Sequence, residues 1–119
     1  KYHGSIEYIH SCGNQTPIQK YLLEIKTLKT FEAGPWSDLS QTLVNIPKDK
    51  HIQVILHPND ILYANKAEME AKLRFITESC SGRSFNITTS GLTPTAGYIE
   101  EYIEQIRLWI DCANNILNR

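Results

Sequence analysis

His51-Ile52-Gln53-Val54-Ile55-Leu56-His57 is the clearest strand in the chain. Its nearly continuous apolar run suits a strand buried on both faces, as in a parallel sheet. Pro58-Asn59-Asp60 turns the chain after it. Upstream, Ser5-Ile6-Glu7-Tyr8-Ile9-His10 alternates and is rich in β-branched and aromatic residues, which predicts a first strand over 5–10. Thr16-Pro17 is an N-cap and first-turn pair, and Gln19 completes a capping box with Thr16. Ile18, Tyr21, Leu22, Ile25 and Leu28 follow at helical spacing and predict a helix over 16–28, with Lys26 and Lys29 suiting its C-terminal end. A short strand over 29–33 ends at Gly34-Pro35. Ser37 then caps a short helix with Leu39, Leu43 and Val44 inward and Pro47 beyond its end.

Downstream of the central strand, Asn65 and Glu68 form a second capping box. Met69, Leu73 and Ile76 mark the inner face of a helix over 66–79, stopped by Ser81-Gly82. Ser84 to Thr88 alternates as a strand, and Ser90-Gly91 turns it. Thr93-Pro94 caps a last helix over 95–118, which is expected to bury Ile99, Tyr102, Ile103, Ile106, Trp109, Ile110, Ala113 and Leu117. Strand and helix therefore alternate four times. That order argues an α/β chain of four βα units with a mainly parallel sheet, in one domain over 1–119.

The chain has 119 residues, enough for a small domain with its own core. A net charge of −1 provides no field calling for nucleic acid or an anionic membrane. The apolar runs are too short to span a bilayer, and no signal-peptide pattern opens the chain. Cys12, Cys80 and Cys112 are too few and scattered for a disulfide framework, and their odd number favours a reducing, cytoplasmic setting. Two sequons, Asn14-Gln15-Thr16 and Asn86-Ile87-Thr88, allow the opposite reading of a secreted chain.

In parallel α/β folds, sites gather at the carboxyl ends of the strands. Here those ends carry His10-Ser11-Cys12-Gly13-Asn14, then Glu32, then His57-Pro58-Asn59-Asp60, then Thr88-Thr89-Ser90-Gly91. His10 and Cys12 share a strand face, and an imidazole and a thiolate at that spacing can converge on zinc. A third ligand is needed, and His57, Cys80, Asp60 and Glu32 are the candidates. The same spacing equally describes a partly buried Cys beside a His bonded to backbone. Gly13-Asn14 before a helix start suits an anion or, as readily, plain turn chemistry. His57 and Asp60 suit an acid–base pair or an Asx-type turn.

His10-Ser11-Cys12-Gly13-Asn14-Gln15-Thr16-Pro17-Ile18 resembles the "H-x-C-G-N-x-x-P-I" stretch of the uroporphyrinogen decarboxylase-like superfamily, in its cobalamin-dependent methyltransferase branch. Phe31-Glu32-Ala33-Gly34-Pro35-Trp36-Ser37-Asp38-Leu39 resembles the family's short strand and "T-D-L" helix start. Ile52 to Leu56 resembles the strand before its "G-N-x-D-P" motif, and His57-Pro58-Asn59-Asp60 occupies that motif's place. Asp60-Ile61-Leu62-Tyr63 with Lys66-Ala67-Glu68-Met69-Glu70 is similar to the family's continuation. Phe85 to Pro94 is similar to its last strand and "C-G-L-x-P" turn.

The resemblance implies the carboxyl-terminal half of a (β/α)8 TIM barrel. It implies methyl transfer from a corrinoid to a zinc-activated small thiol, with His10 and Cys12 as metal ligands. The third ligand position falls at Ser90, where the family has Cys. Gly13, Asn14 and Ser90 stand at cofactor-binding positions, and His57 and Asp60 at catalytic ones. Two open sheet edges would be a liability, so a half-barrel implies a fragment, pairing with a second half or as a homodimer, or a different closure; the implied activity adds a corrinoid protein as a partner. Two other readings stand beside it: a non-catalytic relative that dimerises or binds a partner, and a secreted helical signalling protein of cytokine type.

Overall fold

The computed structural model describes residues 4–92 and 99–118. The cap pair expected at Thr93-Pro94 and the first turn expected for the last helix lie outside these residues. The described chain is mixed α/β. Its sheet has three strands, β1 (Thr30–Ala33), β2 (His51–Leu56) and β3 (Phe85–Thr89), in the order β1-β2-β3. β1 and β2 run parallel, with Thr30 opposite His51 and Glu32 opposite Gln53. β3 continues the parallel order: Ile52 N–H donates to Ser84 O, and Ser90 N–H to Leu56 O, so both strands advance together.

The chain divides into two compact units, Lys1–Ile55 with Cys80–Thr88 and Leu56–Ser79 with Thr89–Arg119. The first holds most of the sheet, a 3-10 turn (Thr16–Ile18), α1 (Gln19–Leu22) and α2 (Leu39–Asn45). The second holds α3 (Asn59–Leu62), α4 (Lys66–Ser79) and α5 (Ile99–Leu117).

In the first unit the helices differ from expectation, and side-chain competition explains how. The 16–28 helix shrinks to a 3-10 turn and four α residues, because the following N–H groups close i→i+3 bonds: Glu24 to Tyr21, Ile25 to Leu22 and Leu28 to Ile25. The Thr16–Gln19 capping box does not form. Thr16 Oγ1 instead accepts from Asp38 N–H at 3.0 Å, and Gln19, 1% exposed, bonds Thr42 and Asn45. Ile18 and Tyr21 are exposed and the polar Gln19 is buried at the start of the expected stripe, while Leu22 and Ile25 are half-buried and Leu28 is buried. At α2 the cap is Asp38, whose Oδ1 accepts from Gln41 N–H at 2.9 Å, while Ser37 Oγ accepts from Gln15 N–H. Val44, expected inward, is exposed. Arg83 closes the other end of α2 by donating to the carbonyls of Leu43 and Ile46 at 3.2 Å. That is favourable beside the helix's negative pole.

The expected strand over 5–10 is extended chain with one parallel bridge, Tyr8 to Thr30. Glu7 O accepts from both Lys29 and Thr30 N–H, and Ile6 O from Thr27 Oγ1, so the segment lies at the β1 edge without building a ladder. The two faces of the sheet differ. Phe31, Ala33, Ile52, Val54 and Leu56 are buried on one face, while the alternate positions carry buried Glu32, half-buried His51 and Gln53, and the buried apolar Ile55. β2 is thus less uniformly apolar in environment than its composition implied.

In the second unit the expectations hold more closely. The Asn65–Glu68 capping box forms in both directions, at 2.8 and 3.0 Å. Met69, Leu73 and Ile76 are buried on α4. Pro58-Asn59-Asp60 begins a short helix rather than a plain turn. On α5, Tyr102, Cys112, Ala113 and Ile116 are buried, but Ile99, Ile103, Ile110 and Leu117 are exposed. The expected stripe therefore mixes two faces of that helix. Among the described residues no helix is long and apolar enough to cross a membrane.

Candidate functional site

The first unit has a buried carboxylate at its centre. Glu32 lies in the middle of β1 and is 1% exposed. A charge so deep needs several donors, and it has four. The Tyr8 hydroxyl donates to Oε1. His10 Nδ1 lies 2.8 Å from Oε1 and 3.1 Å from Oε2. Ser11 N–H donates at 3.3 Å and the buried Gln15 Nε2 at 2.9 Å, both to Oε2. The extended segment 8–11 is thus fastened to β1 mainly through one side chain. Gln53 Nε2, from the neighbouring strand, reaches the Tyr8 oxygen at 3.4 Å. Burial first, then the hydrogen bond and charge of Glu32, push the Tyr8 phenol up to about 12, and the Gln53 bond opposes them.

Glu32 also fixes the chemistry of His10. A carboxylate accepting at Nδ1 places the ring proton there and leaves Nε2 as a lone-pair donor. Cys12 Sγ stands 3.4 Å from that Nε2, and Cys12 is exposed. The expected convergence of His10 and Cys12 is therefore present. Two donors of one tetrahedral zinc, with metal–ligand bonds of roughly 2.0–2.3 Å, stand about 3.5 Å apart. The pair fits one edge of such a site, and equally a thiol–imidazole hydrogen bond. Glu32 lies on the Nδ1 side of the ring, as a carboxylate orienting a ligand rather than as a third ligand. Among the described residues no group of three or more His, Cys, Asp or Glu side chains is placed to hold a metal ion.

The remaining expected residues have other tasks. Gly13 N–H reaches Ser11 Oγ at 3.4 Å, and Asn14 Oδ1 accepts from Thr16 N–H at 3.0 Å, an Asx turn. The Gly13 N–H, expected to face an anion, is thus bonded locally. In the second unit, His57 Nδ1 accepts from Asn59 N–H at 3.1 Å, and the Asp60 carboxylate pairs with Lys72 Nζ at 3.8 Å. The Ser90 hydroxyl donates to Leu56 O at 3.3 Å.

Tyr8 and Gln15 belong to the centre and were not singled out from the sequence. The available clue was Glu32 itself: a charged residue inside Thr30-Phe31-Glu32-Ala33 must recruit donors from neighbouring segments. No family model, curated protein or solved structure matches the chain.

Proposed function

We propose that this chain is a corrinoid methyltransferase-like module of the uroporphyrinogen decarboxylase type, resembling the carboxyl-terminal half of a TIM barrel. Its chemical centre is the His10–Cys12 pair. The observation that carries this reading is the 3.4 Å approach of Cys12 Sγ to His10 Nε2, with the far side of the ring tied to buried Glu32. On this reading His10 Nε2 and Cys12 Sγ hold zinc, and Glu32 keeps His10 in the ligating tautomer. When bound there, zinc supplies a positive charge that holds a small substrate thiol as its thiolate. Catalytic zinc sites use three protein ligands, so the third comes from a completing half or partner, which also presents the corrinoid.

The test is zinc binding by the whole chain, measured by competition with a chromophoric chelator and by elemental analysis. With two of the three ligands in this chain, the parent is expected to bind added zinc weakly, and Cys12→Ala and His10→Ala to lose that binding. A parent that binds no zinc, or a Cys12→Ala variant that binds it equally, sinks the reading.

A second reading is a non-catalytic relative that dimerises or binds a partner. The polar side chains on one sheet face favour it, because parallel sheets are ordinarily covered on both faces. A metal-free dimer on a sizing column supports this second reading against the first.

A further inference from the structure

The first unit also holds a cavity of about 430 Å³ that neither the zinc pair nor Glu32 uses. It is walled by the turn after Cys12, by α1 and by one side of α2 from its cap to its last residue, and its lining includes Asn14, Lys20, Trp36, Asp38, Gln41 and Asn45. Its size is within the usual range for small-molecule sites.

The polar wall is held in place by a run of hydrogen bonds. Asn14 Oδ1 accepts from Thr16 N–H, and Thr16 Oγ1 accepts from Asp38 N–H, both at 3.0 Å. Asp38 Oδ1 accepts from Gln41 N–H, and Gln41 Nε2 donates to Asn45 Oδ1, both at 2.9 Å. Asn45 Nδ2 in turn donates to the buried Gln19 Oε1 at 3.0 Å. Each group therefore has one end tied and its orientation set, which lowers the entropy cost of binding. By their donor and acceptor capacity, Asn14 Nδ2, Gln41 Oε1, the second Asp38 oxygen and Lys20 Nζ remain for water or a ligand.

Trp36 adds an indole that is 58% exposed on the same cavity. A large exposed aromatic beside fixed amides and a carboxylate suits a ligand with one apolar face and a rim of hydroxyls. The lining carries one cation, Lys20, and one anion, Asp38, so it offers no net field for a phosphate or carboxylate. We propose that this cavity binds a neutral saccharide, whose ring C–H face stacks on Trp36 while its hydroxyls meet Asn14, Asp38 and Gln41. This site stands independently of the zinc reading.

Saturation-transfer difference NMR on the whole chain tests it, with glucose, galactose, N-acetylglucosamine and maltotriose as probes, and 31P line broadening follows inorganic phosphate for comparison. The expected result is saturable transfer to ring C–H protons of at least one sugar. Trp36→Ala should weaken it about tenfold, while Trp109→Phe, which leaves Trp36 as the only indole, should retain it. Gln41→Ala at an exposed position provides a second variant, expected to weaken binding while the backbone spectrum stays folded. No saturable transfer from any sugar, equal transfer in Trp36→Ala, or binding of phosphate alone overturns the proposal.

Discussion

Replacing Glu32 with Ala tests whether one carboxylate holds the 8–15 segment to the sheet. The magnitude follows from which donors are stranded. Gln15 is 2% exposed, and its Nε2 loses a 2.9 Å bond to a charged acceptor, so it cannot turn to water. A buried donor left unsatisfied costs about 1–3 kcal/mol. Tyr8 is 44% exposed and the His10 side chain 54% exposed, so both rehydrate and add little. Loss of the Glu32 methylenes leaves a small cavity worth about 1 kcal/mol. The sum is about 2–4 kcal/mol, a fall in Tm of about 8–16 °C for a chain of this length. Glu32→Gln keeps the volume but sets an NH2 among donors, and should cost about half as much. Thermal unfolding followed by circular dichroism measures both variants. If Glu32→Ala melts within about 2 °C of the parent, the carboxylate does not organise this region.

Tyr8 sets a pH dependence. Its folded pKa is raised to about 12 from an ordinary 10.0, so the folded state holds its proton longer than the unfolded chain does. The stability it contributes is present below pH 10 and is lost as pH climbs from 10 toward 12; urea midpoints across that window should fall, and Tyr8→Phe should flatten this part of the slope. Arg83→Ala removes the guanidinium donors at Leu43 and Ile46 and should cost about 1.5–3 kcal/mol, with Arg83→Lys intermediate, read by urea unfolding. Iodoacetamide at neutral pH should label exposed Cys12 first. Cys80 and Cys112, buried and with thiol pKa values raised chiefly by burial, should react only after denaturant is added, as peptide mapping will show.

Legibility in the sequence followed how local the determining physics was. The Asn65–Glu68 box and the Met69, Leu73 and Ile76 stripe depend on neighbours three or four residues away, and α4 appears where both place it. The Gly82 stop is equally local, since the chain leaves α4 through a φ of +80° that glycine adopts freely. Thr16 and Gln19 carry the same kind of local pattern, but distant partners outcompete it: Asp38 N–H takes the Thr16 hydroxyl, and Thr42 takes the Gln19 amide. The candidate centre was half legible for the same reason. Spacing two on an extended segment brings His10 and Cys12 together whatever surrounds them. That Tyr8, Ser11 and Gln15 all turn to Glu32 depends on which strand the segment meets.

The strand register explains why the polar centre sits where it does. Tyr8 bridges Thr30, and Glu32 stands opposite Gln53. Residues 8 and 10 therefore lie beside 30 and 32, and these beside 51 and 53, on one face. Along that face Gln53 donates to Tyr8, and Tyr8 to Glu32, while His51 bonds Ser84 Oγ and Asn86 Oδ1 at 2.7 Å. These cross-strand contacts join polar groups, with buried Ile55 beyond them on the same face, whereas the opposite face of β1 and β2 buries Phe31, Ala33, Ile52, Val54 and Leu56. A sheet held only by its apolar face would tolerate alanine or threonine at 32 and 53. The four donors gathered on Glu32 instead give the polar face an ordered row ending at His10 Nε2 and Cys12 Sγ. The orientation of His10, rather than its nearness to Cys12, is therefore the consequence of where the segment meets β1, because Glu32 holds the ring from its Nδ1 side.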